Sequence, residues 1–178
     1  MPTMIGAGAR TFLLGLSVAT TAVVIAAGIE TAMSPAIPVS SFPELPKEVA
    51  SDLRSRGCSI AREYVIKNHV NVLRDDFTGE SREDWAVLCV SGGQAQVIAY
   101  RNGGLATMLS AAPFSVPKSY EDASSIRVVD GAYVAAHNRS SPISRQMGNR
   151  RCIEDIVGSG SAIYCFVEGN WQKYAGAD

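Results

Sequence analysis

Histidine is almost missing from this chain: its 178 residues contain only His69 and His137, and neither stands at a spacing that catalysis uses. Gly158-Ser159-Gly160-Ser161-Ala162 also lacks the spacing of a nucleophile elbow. No Cys-x-x-Cys pair occurs, and with so little histidine to complete a ligand set this argues against a zinc site. A basic surplus is absent as well, since 16 Lys and Arg face 17 Asp and Glu. Bulk binding to nucleic acid normally needs such a surplus, because affinity there comes from contacts to phosphates. No fixed-period repeat is convincing, which sets repeat architectures aside. These absences leave a small globular domain that is not a recognisable enzyme.

What is present begins with Arg10, followed by nineteen uncharged, mostly apolar residues, Thr11 to Ile29. One cation before an apolar run reads as an export signal. The run is also long enough to span a bilayer, so an uncleaved anchor through residues 11–29 stands beside it as the alternative. Ser34 and Ala36 supply small residues for cleavage, giving a signal or anchor over 1–36, a proline-rich linker over 37–45 with Pro38 and Pro43, and one domain over 46–178. The single Arg10 favours an orientation that leaves the domain outside the cytoplasm, whether periplasmic, secreted or tethered. That placement gives Cys58, Cys89, Cys152 and Cys165 a meaning, because an even cysteine count in an exported domain reads as disulfides. Three pairings are open to four cysteines. Cys58–Cys89 with Cys152–Cys165 is favoured, since each bond joins cysteines adjacent in sequence order and the second closes a short loop.

From Pro46 to Arg56 the chain places Leu45, Val49 and Leu53 at four-residue spacing, with Asp52 and Arg56 together on the other face. Proline at the start and Gly57 just past the end complete the signature of an amphipathic helix over 46–56. Thereafter short runs rich in β-branched, aromatic and small apolar residues predict strands over 70–73, 85–90, 95–100, 106–109, 126–129, 132–136, 162–167 and 170–174. Glycine-bearing connections at 91–94, 101–104 and 168–170 favour antiparallel hairpins. The run Trp85 to Val90 is apolar on both faces, as in a strand covered on both sides. Residues 153–157 suggest a turn of helix. The expected fold is α+β, mostly antiparallel sheet of seven or eight short strands, with one N-terminal helix.

Oxygen-bearing side chains concentrate in one place. Asp76, Thr78, Glu80 and Asp84 alternate along a loop in which Arg82 offers a backbone carbonyl, and Ca²⁺ takes six to eight oxygens at about 2.3–2.6 Å. The stretch from Asp76 to Val87 is similar to the FG-GAP type of repeat found in integrin-like propellers, a likeness that extends over residues 75–100. It implies an acidic Ca²⁺ loop between two strands, with Asp76, Thr78, Glu80, Arg82 and Asp84 as the ligand set and the second strand starting near Trp85. The chain departs from that pattern at Thr78, Glu80 and Ser81, where the repeat has Asn or Asp, Asp, and Gly. More broadly, Gly57-Cys58, Asn71-Val72, Asp84 to Cys89, Ile153-Glu154-Asp155 and the segment from Trp171 to Asp178 resemble a group of uncharacterised exported bacterial proteins. This resemblance implies export and a single domain, and no activity.

Residues 137–151 carry Arg139, Arg145, Arg150 and Arg151 without an acidic residue. Such a loop suits an anionic partner, a lipid headgroup or a cell-wall polymer. Glu83 with Asp84, or Glu154 with Asp155, could in principle supply an acid and a base, although neighbouring side chains on a strand point to opposite sides. The expectation is therefore an extracytoplasmic binding or structural module for an envelope protein or anionic component, with no required cofactor. A weakly Ca²⁺-stabilised FG-GAP-like unit and a hydrolase follow in that order.

Overall fold

A computed structural model describes residues 36–62, 71–114, 124–139 and 147–177. In chain order its elements are β1 (Ala36–Pro38), a 3-10 turn (Val39–Ser41), α1 (Lys47–Ser55), β2 (Ser59–Ala61), β3 (Val72–Asp75), β4 (Asp84–Ser91), β5 (Gln94–Arg101) and β6 (Leu105–Pro113). They continue with β7 (Ser124–Asp130), α2 (Gly131–His137), β8 (Arg151–Val157), β9 (Gly160–Val167) and β10 (Asn170–Ala175). The apolar run over 11–29, expected as signal or anchor, lies outside the described residues, as do His69 and Arg145. No helix among the described residues is long and apolar enough to cross a membrane.

The strands form two antiparallel sheets. One runs β1-β2-β4-β5-β6, with β3 also paired to β4, and the other runs β10-β9-β8-β7. Side-chain alternation along β4 shows how they stack. Trp85, Val87 and Cys89 join a core with Leu45, Val49 and Leu53 from and around α1, whereas Ala86 and Leu88 join a second core with Ile126 and Ile153 of the other sheet. A third cluster packs Val134 of α2 on Cys152, Ile163 and Cys165. The order of layers is thus α1, first sheet, second sheet, α2, and β4 is covered on both faces as its sequence predicts.

α1 ends as its glycine requires. Gly57 takes φ +66°, its N–H donates to the Arg54 carbonyl at 3.0 Å, and the Cys58 N–H donates to Leu53 at 2.9 Å. This pair of bonds closes the last turn only when the residue after the cap is left-handed. It also delivers Cys58 to the edge of β4, where it is bonded to Cys89 with Cα atoms 5.3 Å apart. Cys152 and Cys165 face each other across β8 and β9, with Cα atoms 4.6 Å apart, and form the second disulfide. Two-residue turns join β4 to β5 through Gly92-Gly93 and β9 to β10 through Glu168-Gly169, all four at positive φ, as tight antiparallel hairpins demand.

Several expectations are corrected. Ten strands and two helices stand among the described residues, in place of seven or eight strands and one helix. Residues 132–136 are helical, because the Asp130 carboxylate accepts the Tyr133 N–H at 2.8 Å and caps α2; a run that short cannot separate the two periodicities by itself. Residues 153–157 are strand β8, whose two central carboxylates find partners on other elements. The proline-rich stretch 37–45 is part of the fold: β1 pairs with β2, and Val39, Phe42 and Leu45 are buried beneath α1.

Candidate functional site at the acidic loop

Asp84 opens β4 and is almost wholly buried, so its carboxylate depends on donors from the protein. One oxygen accepts the Thr78 N–H at 2.9 Å and the Thr78 hydroxyl at 2.7 Å, and the other accepts the Asn102 N–H at 3.1 Å. Asp76 gathers the N–H groups of Gly79 at 2.7 Å, Glu80 at 3.0 Å and Ser81 at 2.9 Å. That fan of amides holds Ser81 at φ +58°, a left-handed conformation costing a residue with a Cβ roughly 1–2 kcal/mol. It is the position at which the FG-GAP pattern has glycine.

Of the other expected ligands, Glu80 pairs with Arg101 at 3.2 Å. Arg82 lines a shallow depression of about 430 Å³ with Glu48, Glu83, Trp85 and Asn102. The five residues share one loop, but Asp76 and Asp84 turn inward to backbone amides. Among the described residues no three His, Cys, Asp or Glu side chains form a group able to hold a metal ion. Phe77, fully buried in the core between the sheets, pins the loop.

The arginines expected to meet an anionic partner divide. Arg151 bonds Asp75 at 2.9 Å and so ties β8 to the acidic loop, and Arg150 donates to the Phe166 carbonyl at 2.6 Å. Arg139 follows Asn138, the C-cap of α2. Sequence reading missed Asn71, which is fully buried and binds the Ala61 carbonyl on the first sheet at 3.0 Å while accepting the Ile126 N–H of the second at 2.9 Å. A lone Asn beside a hydrophobic run carries no local signal for such a bridge.

Neither carboxylate pair converges. Glu83 is exposed and bonded to Arg74, whereas its neighbour Asp84 is buried in the loop. On β8, Glu154 points toward α2 and Asp155 toward the first sheet. Glu154 is 0% exposed and accepts from Ser161 at 2.7 Å, Tyr133 at 3.0 Å and Arg127 at 2.5 Å. Burial alone would raise its pKa, but these three bonds and the charge of Arg127 together outweigh burial and hold the carboxyl below its ordinary range.

Asp155 is the opposite case. It is 6% exposed, accepts the Ser110 hydroxyl on one oxygen at 2.6 Å, and buries the other without a partner. Burial pushes its carboxyl up, against the smaller effects of the Ser110 bond and the Lys173 charge. The folded chain therefore holds this proton more tightly than the unfolded chain does. Stability linked to this group is complete below the ordinary carboxyl pKa of 3.8 and is lost as pH rises through the raised value. Asp155→Asn cannot ionise and can still accept from Ser110, so it is expected to be more stable than the parent at pH 7 by about 1–3 kcal/mol. The gain should vanish on acidification below the ordinary carboxyl pKa. Thermal denaturation at the two pH values checks this, and a variant no more stable than the parent at pH 7 would contradict it.

One long strand edge has no second strand partner among the described residues. β6 forms an outer edge of the first sheet and, among the described residues, pairs only with β5. None of its nine residues is charged, and Leu105 and Met108 are 67% and 57% exposed. The other sheet edges carry the usual protections. β1 has three residues, one of them Pro38, β10 bears Lys173, and β7 bears Arg127 and runs straight into α2.

No protein family, curated protein or solved structure matches this chain.

Proposed function

We propose that this chain is an extracytoplasmic binding module that takes its partner as an added strand along the outer edge of β6. The observation that carries the reading is the uncharged nine-residue edge with Leu105 and Met108 exposed. An unprotected strand edge presents a row of N–H and C=O groups whose natural complement is another extended chain. The two disulfides support an oxidising compartment.

Photo-crosslinking in the cells that express the protein tests the surface. A benzophenone side chain at Met108 is expected to yield a covalent adduct, whereas the same group at Lys47, on the solvent face of α1, yields none. Equal labelling at the two positions, or no adduct at Met108, would refute the assignment of β6 as the binding edge.

A further inference from the structure

We infer that the strand β6 receives is β6 of a second copy of this chain, giving a two-fold dimer in which the first sheets of both copies become continuous. This inference rests on the reading of β6 as a binding edge and adds the identity of the occupant. What covers a strand edge must itself be extended, because only another strand matches its spacing of donors and acceptors. What covers this edge must also bring no charge against Leu105 and Met108, since unpaired charge in such a contact costs desolvation.

Among the sheet edges of the described residues, β6 is the long strand without a charged side chain or an internal proline. β1 is short and contains proline, β10 contains Lys173, and β7 contains Arg127 and Asp130. Antiparallel pairing of a strand with its own copy is isologous and closes at two subunits, the arrangement that homo-oligomers adopt most often. The opening has defined limits. Val97 pairs with Ser110 and Ile98 with Met108, so Leu109 is an extra residue that bulges the strand. Pro113, the last residue of β6, has no N–H to give. Strand addition is thereby directed to the straight segment Leu105–Met108, which contains both exposed hydrophobic side chains.

A residue on or beside the two-fold axis lies opposite its own copy, with Cα atoms about 4.5–5.5 Å apart in an antiparallel pair, within reach of a disulfide. Single cysteines are therefore placed in the full-length chain at Ala106, Thr107 and Met108, with Ser51→Cys on the outer face of α1 as the control. Non-reducing gels are expected to show a crosslinked dimer for at least one β6 position and none for Ser51→Cys. Adding Leu105→Lys to whichever single-cysteine chain crosslinks, together with Met108→Lys where the cysteine is at 106 or 107, should abolish the dimer. Both side chains are exposed, so the fold has no need of them. Exchange of those amides of 105–113 that point away from β5 supplies the second readout, since the others are bonded to β5 in any case. Monomer at every position with these outward β6 amides exchanging freely would overturn the second copy as occupant while leaving the edge open to another protein's strand. Monomer with the outward β6 amides as slow as those of β4 would overturn both, because the edge would then be closed within its own chain.

Discussion

Replacing Cys58 and Cys89 together by alanine is expected to cost the domain about 4 kcal/mol, a large part of the roughly 5–15 kcal/mol that separates folded from unfolded states in domains generally. The bond joins residues 31 apart, against 13 for Cys152 and Cys165. In the chain-entropy account the longer loop restrains the unfolded chain more, and the shorter bridge contributes about 3 kcal/mol. The Cys58 bond also acts where α1 hands over to the first sheet. Without it, the helix is held by its apolar face on Trp85, Val87 and Ile98 and by the two-residue register of β2 with β4. Urea denaturation of the two double variants beside the parent measures both losses. A loss below 1 kcal/mol for Cys58 and Cys89, or the reverse order of the two, would show that packing and not loop restraint holds α1 in place.

Arg127→Met is expected to destabilise by about 3 kcal/mol at neutral pH, the lower end of what breaking a buried ion pair costs. The lower end applies because the Arg127 side chain is 48% exposed, so water can reach part of the space it leaves. Glu154, fully buried, would keep only Tyr133 and Ser161 as donors. The pH dependence should change sign with the substitution. In the parent the lowered Glu154 pKa supplies stability that is present above the ordinary carboxyl value of 4.5 and is lost as pH falls through the lowered value. Without Arg127, burial prevails and the carboxyl rises above its ordinary range, so this group's contribution declines as pH increases. Stability curves of parent and variant should therefore draw together in acid. Arg127→Met combined with Glu154→Gln should recover most of the loss, since no buried charge is left uncompensated. A gap that stays constant with pH would mean that Arg127 acts through packing on Tyr133, whose ring it overlies at 5.3 Å, and not through charge.

Much of the framework was legible because its causes are local. The four-residue spacing of Leu45, Val49 and Leu53 with Gly57 after it specifies α1, and the two apolar faces of Trp85 to Val90 specify a central strand. The acidic loop was legible as a feature, but its internal hydrogen bonds were not. Its oxygens alternate as in a cation loop, yet Asp76 closes on its own amides and Asp84 reaches Asn102, eighteen residues on. At Ser81 the Asp76 carboxylate grips a turn with positive φ, a bond the sequence alone did not show. β8 was misread because Glu154 and Asp155 look solvent-seeking until Arg127, Tyr133, Ser161 and Ser110 are brought to them. Residues 132–136 were misread because Asp130, the cap that decides helix over strand, precedes a run too short to show a period.

By itself the sequence determined an antiparallel, disulfide-bearing β domain with an amphipathic helix at its start, and its cysteines pair in the favoured order. Hairpin turns, helix ends and strand alternation are set by neighbours within a few residues, so the order of side chains along the chain suffices to read them. Tertiary structure alone decided that the Glu154 pKa is lowered and that of Asp155 raised, how the sheets are bridged by Asn71, and that β6, among the described residues, pairs on one side only. Those properties depend on groups distant in sequence, because burial and the supply of hydrogen-bond donors are fixed only when the two sheets come together.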